Sequence, residues 1–258
     1  MNHRARKRFG QHFLTAPETI EQIVAAINPA AGEIIVEIGP GQAAITQPLS
    51  VLATELHAIE FDRDLVERLR SRFATRDNVT IHEGDALSFD YATLGTALRL
   101  VGNLPYNIST PLLFHLLTFR DHIADMHFML QKEVVGRICA SPGTKNFGRL
   151  TIMLGCRMES VPLFDVPPTA FSPPPKVMSS VVRMRPMPHG RFDVRDSTVL
   201  DAIVKLAFSR RRKTLRNALG GVASADDIDA VGLDPSLRPE QVPIDDWVTL
   251  ANRLSLTA

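Results

Sequence analysis

Residues Glu33 to Gly41 read EIIVEIGPG. Ile34, Ile35, Val36 and Ile38 form a nearly continuous apolar run, as expected of a parallel strand buried on both faces. Gly39-Pro40-Gly41 ends that run in a turn at which a ligand can approach the backbone. The same alternation continues outward on both sides. Pro17 to Asn28 carries Ile20, Ile23, Val24 and Ile27 on one face, an amphipathic helix. Downstream come the strand ELHAIE, a helix over Asp62 to Phe73, and the strands NVTIHEGD and LRLVGN. A helix opened by Thr110 as N-cap and Pro111 as N1 follows, then the strand ADMHFMLQ, a helix over Lys132 to Ala140, and a loop over Ser141 to Phe147. The strands MESVPLFDV and VMSSVVRMRP flank PPTAFSPPPKV, too rigid and short for a crossover helix, so an antiparallel last strand is expected.

After a break at PMPHGRFD, Val199, Ile203, Leu206 and Ala207 keep helical period, and Leu215 and Leu219 continue it to Gly220-Gly221. The pattern predicts an α/β sheet domain over 1–187 and a small all-α domain over 188–258. The chain has 258 residues, 45% hydrophobic and 22% charged, a globular composition with ample core. No apolar run approaches the roughly 18–20 residues that span a bilayer, and the basic start MNHRARKRFGQHFL lacks a signal-peptide core. Membrane partners are therefore not expected. Cys139 and Cys156 form neither a disulfide framework nor a metal cluster, which suits buried thiols in a cytoplasmic protein.

A net charge of +1 hides segregation. Arg4, Arg6, Lys7 and Arg8 open the chain, and Arg210, Arg211, Arg212, Lys213 and Arg216 form a second basic cluster. Such patches suit a phosphate backbone, although a charge run can equally be a solvated helix face.

In open parallel sheets ligands bind beyond the carboxyl ends of the strands. Four successive strands here end in Gly39, Glu60, Asp85 and Asn103. Each has a plain alternative: Glu60 and Asp85 could cap helices, and Asn103 could serve the turn Asn-Leu-Pro-Tyr. Ala44 stands where a dinucleotide loop has its third glycine. Glu60 lies 21 positions after Gly39, where an acid pairs the hydroxyls of a ribose. Together the four ends spell a nucleoside site.

GQHFL (Gly10 to Leu14), VEIGPG (Val36 to Gly41), IEFDRDL (Ile59 to Leu65), EGDAL (Glu83 to Leu87), VGNLPYNIST (Val101 to Thr110) and AFSPPPKV (Ala170 to Val177) follow in order. This series resembles the rRNA adenine N6,N6-dimethyltransferases, in particular their bacterial small-subunit branch. The resemblance runs from about Arg6 into the C-terminal helices. It implies a class I S-adenosylmethionine-dependent fold, Rossmann-like, with a seven-stranded sheet whose last strand is antiparallel and a small helical domain.

The resemblance also implies roles by position. His12 and Leu14 would cover the S-adenosylmethionine cofactor, Gly39 would line its methionine end, Glu60 would hold the ribose, and Asp85 with Ala86 the adenine. Asn103 would bridge cofactor and target. His12 stands where the family often has Asn, and could instead be a packed ring. The Asn103 oxygen and the Leu104 carbonyl would accept from the target amine, with Pro105 fixing the turn. Tyr106 would stack on the target base and Phe171 would close its other face, unless Phe171 merely anchors the proline loop. No metal is implied.

A base held between rings must be unpaired or flipped out, which suits single-stranded rRNA loops. The implied partner is 16S rRNA in a small ribosomal subunit or its precursor, bound through Arg4, Arg6, Lys7, Arg8 and Arg210 to Lys213 by a monomer. The implied reaction dimethylates two adjacent adenosines in its 3′-terminal hairpin loop. DNA is disfavoured because DNA adenine methyltransferases carry a second proline where this chain has Leu104. A large-subunit rRNA dimethyltransferase and a non-catalytic ribosome-assembly factor are the alternatives; the latter would let Glu60, Asp85 or the Asn103 turn decay.

Overall fold

The computed structural model describes residues 12–256. Arg4, Arg6, Lys7 and Arg8, with Gly10 and Gln11, lie outside the described residues. The strands are β1 (Phe13–Leu14), β2 (Ile34–Ile38), β3 (Glu55–Glu60), β4 (Val79–Glu83), β5 (Leu98–Asn103), β6 (Ile123–Gln131), β7 (Met158–Val166), β8 (Phe171–Ser172) and β9 (Ser179–Pro186). Seven of them form one sheet in the order β4-β3-β2-β5-β6-β9-β7, while β1 and β8 pair separately. From β4 across to β6 every ladder is parallel. The last strand in the chain, β9, runs antiparallel to β6. Because β2 has β3 on one side and β5 on the other, the chain reverses its direction of travel across the sheet there, creating the crevice in which such folds bind ligands.

The helices are α1 (Pro17–Ile27), α2 (Thr46–Leu52), α3 (Arg63–Arg72), α4 (Ser109–Leu117), α5 (Lys132–Ile138), α6 (Arg149–Gly155), α7 (Ser197–Ser209), α8 (Leu215–Ala218), α9 (Ala225–Asp229) and α10 (Ile244–Leu254). Pro17 opens α1 at a position whose N–H would be unbonded anyway, and Asn28 closes it in the left-handed conformation with its N–H on Val24 O. Asp62 caps α3 by accepting from Asp64 N. The N-cap of α4 is Ile108, not Thr110, so Pro111 sits two positions later than expected. A first-turn proline is tolerated there because the first four N–H groups have no partner within the helix.

The chain divides into two compact units, residues 1–135 with 161–186, and residues 136–160 with 187–258. The break near residue 187 is common to both divisions, but the helical unit also takes a segment from within the expected 1–187 domain. That segment carries α6, which buries Thr151, Ile152, Met153 and Leu154. Such a helix needs an apolar partner, and α6 meets α7 and α10. In this unit Trp247 and Phe147 are fully buried, their rings 6.0 and 6.5 Å from Phe208.

The helix expected to run from Val199 through Leu219 is instead two helices, α7 and α8, broken at Arg210 to Thr214. The basic cluster therefore lies in a turn. Arg210 Nη1 donates to Ala218 O at 3.5 Å, and Arg211 reaches Thr144 O and Glu240. Arg212 and Lys213 are exposed.

Candidate active site

Gly39 leaves β2 at φ +70° and Gly41 follows at +56°, conformations that a side chain disfavours. At the end of β5, a Cβ on Gly102 would stand 2.5 Å from Ile38 O, so only glycine lets β5 lie this close to β2. These two glycine devices bring the β2 turn beside Asn103.

Glu60, at the end of β3, is 7% exposed. Its Oε2 accepts from Gly41 N at 3.1 Å and its Oε1 from Asp62 N at 2.9 Å. Burial raises its pKa, against the pull of those backbone donors. Phe61 also donates to the carboxylate from the backbone, and the two carboxylate oxygens, with about four acceptor sites, still have capacity left. Glu60 thus ties the glycine turn to the start of α3 and can still accept from a ligand.

Two adjoining recesses meet at Gly39, Glu60 and Pro105. The first is bounded by His12, Phe13, Gly41, Asn103, Leu104 and Tyr106. The second is bounded by Phe61, Gly84, Asp85, Ala86, Leu87 and Ile108, among others. Asp85 is exposed; its Oδ1 accepts from Leu87 N at 2.9 Å, closing a local turn rather than capping a helix.

Asn103 Nδ2 donates to His12 O at 3.0 Å. A carbonyl can only accept, so this contact sets which end of the carboxamide is nitrogen and leaves Oδ1 as the free acceptor. The Leu104 carbonyl likewise accepts nothing among the described residues. His12 Nδ1 lies 2.7 Å from Pro173 O and therefore carries a proton. The His12 ring stands 6.0 Å from that of Tyr106, inclined at 31°. Tyr106 is half-buried, its hydroxyl 2.8 Å from Ser179 Oγ on β9; burial raises its pKa, while the Ser179 contact works the other way.

Residues 2–256 match the ribosomal RNA adenine dimethylase family. The chain belongs to that family. It is 54% identical over 253 residues to a ribosomal RNA small subunit methyltransferase A from Aromatoleum aromaticum, covering 98% of this chain and 95% of that protein. Among solved structures it is similar to a dimethyladenosine transferase from Plasmodium falciparum, with TM-score 0.82, 25% identity, and 93% and 96% of the two chains covered. The 23S rRNA methyltransferase ErmE shares the fold at TM-score 0.72 and 22% identity, with coverage of 94% and 99%. This rRNA adenine dimethyltransferase fold thus accounts for the seven-stranded sheet and its helical C-terminal region.

Within this dimethylase, the structure gathers His12, Gly39, Glu60, Asp85, Ala86, Asn103, Leu104, Pro105 and Tyr106 around the two recesses. It does not bring Leu14 or Phe171 there. Leu14, 5% exposed, and Phe171, 4% exposed, pair across β1 and β8 and pack into the hydrophobic core. Successive residues of a strand point to opposite faces. With Leu14 turned inward, Phe13 lines the first recess, its ring 3.2 Å from where a Gly41 Cβ would stand. Phe171 is the anchor of the proline loop.

Phe13, Phe61 and Glu37 were not singled out by sequence. Phe13 and Phe61 sit inside the quoted motifs GQHFL and IEFDRDL, and Phe61 is 61% exposed at the second recess, unusual for so large an apolar ring. Glu37 is buried beneath the glycine turn. Burial pushes its pKa up to about 7, opposed by Thr46 at the start of α2 and reinforced by Glu60. Among the described residues no group of His, Cys, Asp and Glu is arranged to hold a metal, and no helix is long and apolar enough to cross a membrane.

Proposed function

We propose that this chain dimethylates the N6 amino groups of two adjacent adenosines in the 3′-terminal hairpin loop of 16S rRNA, using S-adenosylmethionine, as a cytoplasmic monomer acting on the small ribosomal subunit or its precursor. The family membership and the small-subunit relative support this reading over a large-subunit target.

The residues at the two recesses fit the cofactor. Glu60 offers a buried carboxylate to the ribose hydroxyls, Gly39 and Gly41 offer approachable backbone, and Asp85 can accept from an exocyclic amine. Phe61 and Ala86 offer apolar surface to a purine. When bound, S-adenosylmethionine supplies an activated methyl group. What the protein must add is alignment and electrostatics.

The adenine amine is a poor nucleophile because its lone pair is delocalised into the ring. Two acceptors on its hydrogens favour a pyramidal nitrogen with the lone pair directed outward. Asn103 Oδ1 and the Leu104 carbonyl are two such acceptors, adjacent in sequence and without donors among the described residues. Pro105 holds the turn, and the Tyr106 ring, anchored through Ser179, gives a face for stacking. Phe13, not Phe171, is the second aromatic at the first recess. The exposed Arg212 and Lys213, with Arg210 and Arg211, are assigned to RNA phosphates, as are Arg4, Arg6, Lys7 and Arg8.

The observation that carries the proposal is the pinned Asn103 carboxamide with its free oxygen. Aligned polar groups of this kind contribute about 10²–10³ in rate. Asn103→Ala should lower the single-turnover methylation rate by that factor with both substrates saturating, while the protein still folds. A rate within about threefold of wild type would leave Asn103 as a turn residue only.

A further inference from the structure

At the amino end of the strands, a recess of about 660 Å³ opens beside the C-terminus of α1. Register brings its charges together. His127 of β6 lies opposite Arg183 of β9, and Asp125 opposite Arg99 of β5. Residues two apart share a face, so Asp125, His127, Arg183 and Arg185 stand on one side of the sheet.

The two carboxylates of this recess are already engaged. Asp125 accepts from Arg99 through both oxygens, and Glu33 accepts from Arg99 and from Ala30 N. The side chains of Arg183, half-buried, and Arg185, exposed, have no hydrogen bond or ion pair among the described residues. His127 is 3% exposed, and neither ring nitrogen has a hydrogen-bond partner among the described residues. Its nearest carboxylate oxygen, on Asp125, is 3.6 Å away, within ion-pairing distance but too long for a hydrogen bond.

Buried polar groups are ordinarily satisfied. Two guanidiniums without partners beside an unsatisfied imidazole form a set able to donate several hydrogen bonds, and no uncommitted carboxylate lines the recess. We propose that this recess is a phosphate-binding site, with Arg183 and Arg185 forking the phosphoryl oxygens and the His127 ring at its floor offering an N–H. Arginine suits this role because its planar fork matches phosphate oxygens two at a time. A phosphodiester of RNA and a free phosphate or phosphorylated small molecule share that chemistry.

Inorganic phosphate titrated into the full-length protein at constant ionic strength, with the His127 imidazole followed by NMR, tests the proposal. A saturable shift is expected, and Arg183→Gln and Arg185→Gln should each weaken binding about tenfold or more. Circular dichroism confirms that the variants fold, and Arg185→Gln, at an exposed position, keeps the test available if Arg183→Gln does not. A shift no larger than that produced by equivalent chloride, or one unchanged in a folded variant, overturns it. With binding established, displacement of phosphate by a single-stranded RNA oligonucleotide assigns the site to an RNA backbone. Undisturbed phosphate binding in the presence of RNA assigns it to a small phosphorylated ligand. Neither result depends on methyl transfer, so this proposal and the proposed function fail separately.

Discussion

Arg99, near the start of β5, and Asn103, at its end, lie on the same strand and hydrogen-bond in opposite styles. Arg99 uses all five of its N–H donors. They reach Asp125 Oδ1 at 3.0 Å and Oδ2 at 2.9 Å, Glu33 Oε2 at 2.7 Å, Asn28 O at 3.2 Å and Ile27 O at 2.6 Å. The last two tie down carbonyls at the C-terminus of α1. The Asn103 side chain makes one hydrogen bond among the described residues, to His12 O, and keeps its oxygen open. Glu60, at the end of β3, likewise has acceptor capacity to spare after meeting Gly41, Asp62 and Phe61. The Arg99 network, fully satisfied, fastens the start of β5 to the end of α1, and the unfilled capacity of Asn103 and Glu60 equips the other end of the strands to hold ligands.

Removing a charge from the Arg99 network should produce the larger loss of stability. Asp125→Ala strips Arg99 of a bidentate partner in a buried setting and should destabilise the protein by about 3–5 kcal/mol, as removal of one partner of a buried pair does. Chemical denaturation measures this, and methyl transfer per folded molecule should stay near wild type. The pH dependence has a definite sign. Burial alone would raise the Asp125 pKa, but His127 and Arg99 outweigh it and hold the carboxyl at about 2, below its ordinary 3.8. The stabilisation is therefore full above about pH 4 and is lost as pH falls through 2, and Asp125→Asn should flatten that acid limb. A variant that kept its stability but lost its chemistry would erase the contrast between the two ends.

At the open end, Glu60→Gln should weaken S-adenosylmethionine binding roughly ten- to hundredfold, the value of a hydrogen bond to a charged group. Glutamine keeps one acceptor oxygen for the turn, so calorimetry on this variant separates ligand binding from folding better than alanine would. Unchanged affinity would place Glu60 among the purely structural carboxylates. The smallest effect is expected for Tyr106→Phe. It retains the ring but leaves the buried Ser179 hydroxyl without its 2.8 Å partner, costing about 1 kcal/mol of stability. Methylation should change little, because stacking needs the ring; a rate loss as large as that of Asn103→Ala would instead put the hydroxyl in the chemistry.

The contrast also separates what was legible in the sequence from what was not. The strands of the α/β alternation were legible because EIIVEI, LRLVGN and ADMHFMLQ are apolar runs, and the ends of β2, β3 and β5 bring Gly39, Glu60 and Asn103 to the same edge. The side chains of Leu14 and Phe171 turn away from the two recesses for a reason of parity. Both lie in two-residue strands, and only the register of β1 on β8 decides which of two adjacent side chains turns inward. The segment RLTIMLG, helix α6, is too short for its periodicity to declare a helix. The break before α8 was hidden because Leu215 and Leu219 happen to stay in phase with the apolar positions of α7. Arg99 showed no sign of its role, since its partners lie 26 to 72 residues away. Glu37 looked like one letter of a motif until burial set it apart.

Product analysis decides whether the carboxyl ends of these strands carry out adenosine dimethylation on small-subunit RNA. Small ribosomal subunits lacking the modification would be incubated with the protein and methyl-labelled S-adenosylmethionine, and the RNA digested and mapped. The account predicts label recovered as N6,N6-dimethyladenosine at two adjacent adenosines of the 3′-terminal hairpin loop of 16S rRNA. Label confined to large-subunit RNA, or carried on any nucleoside other than adenosine, would contradict it.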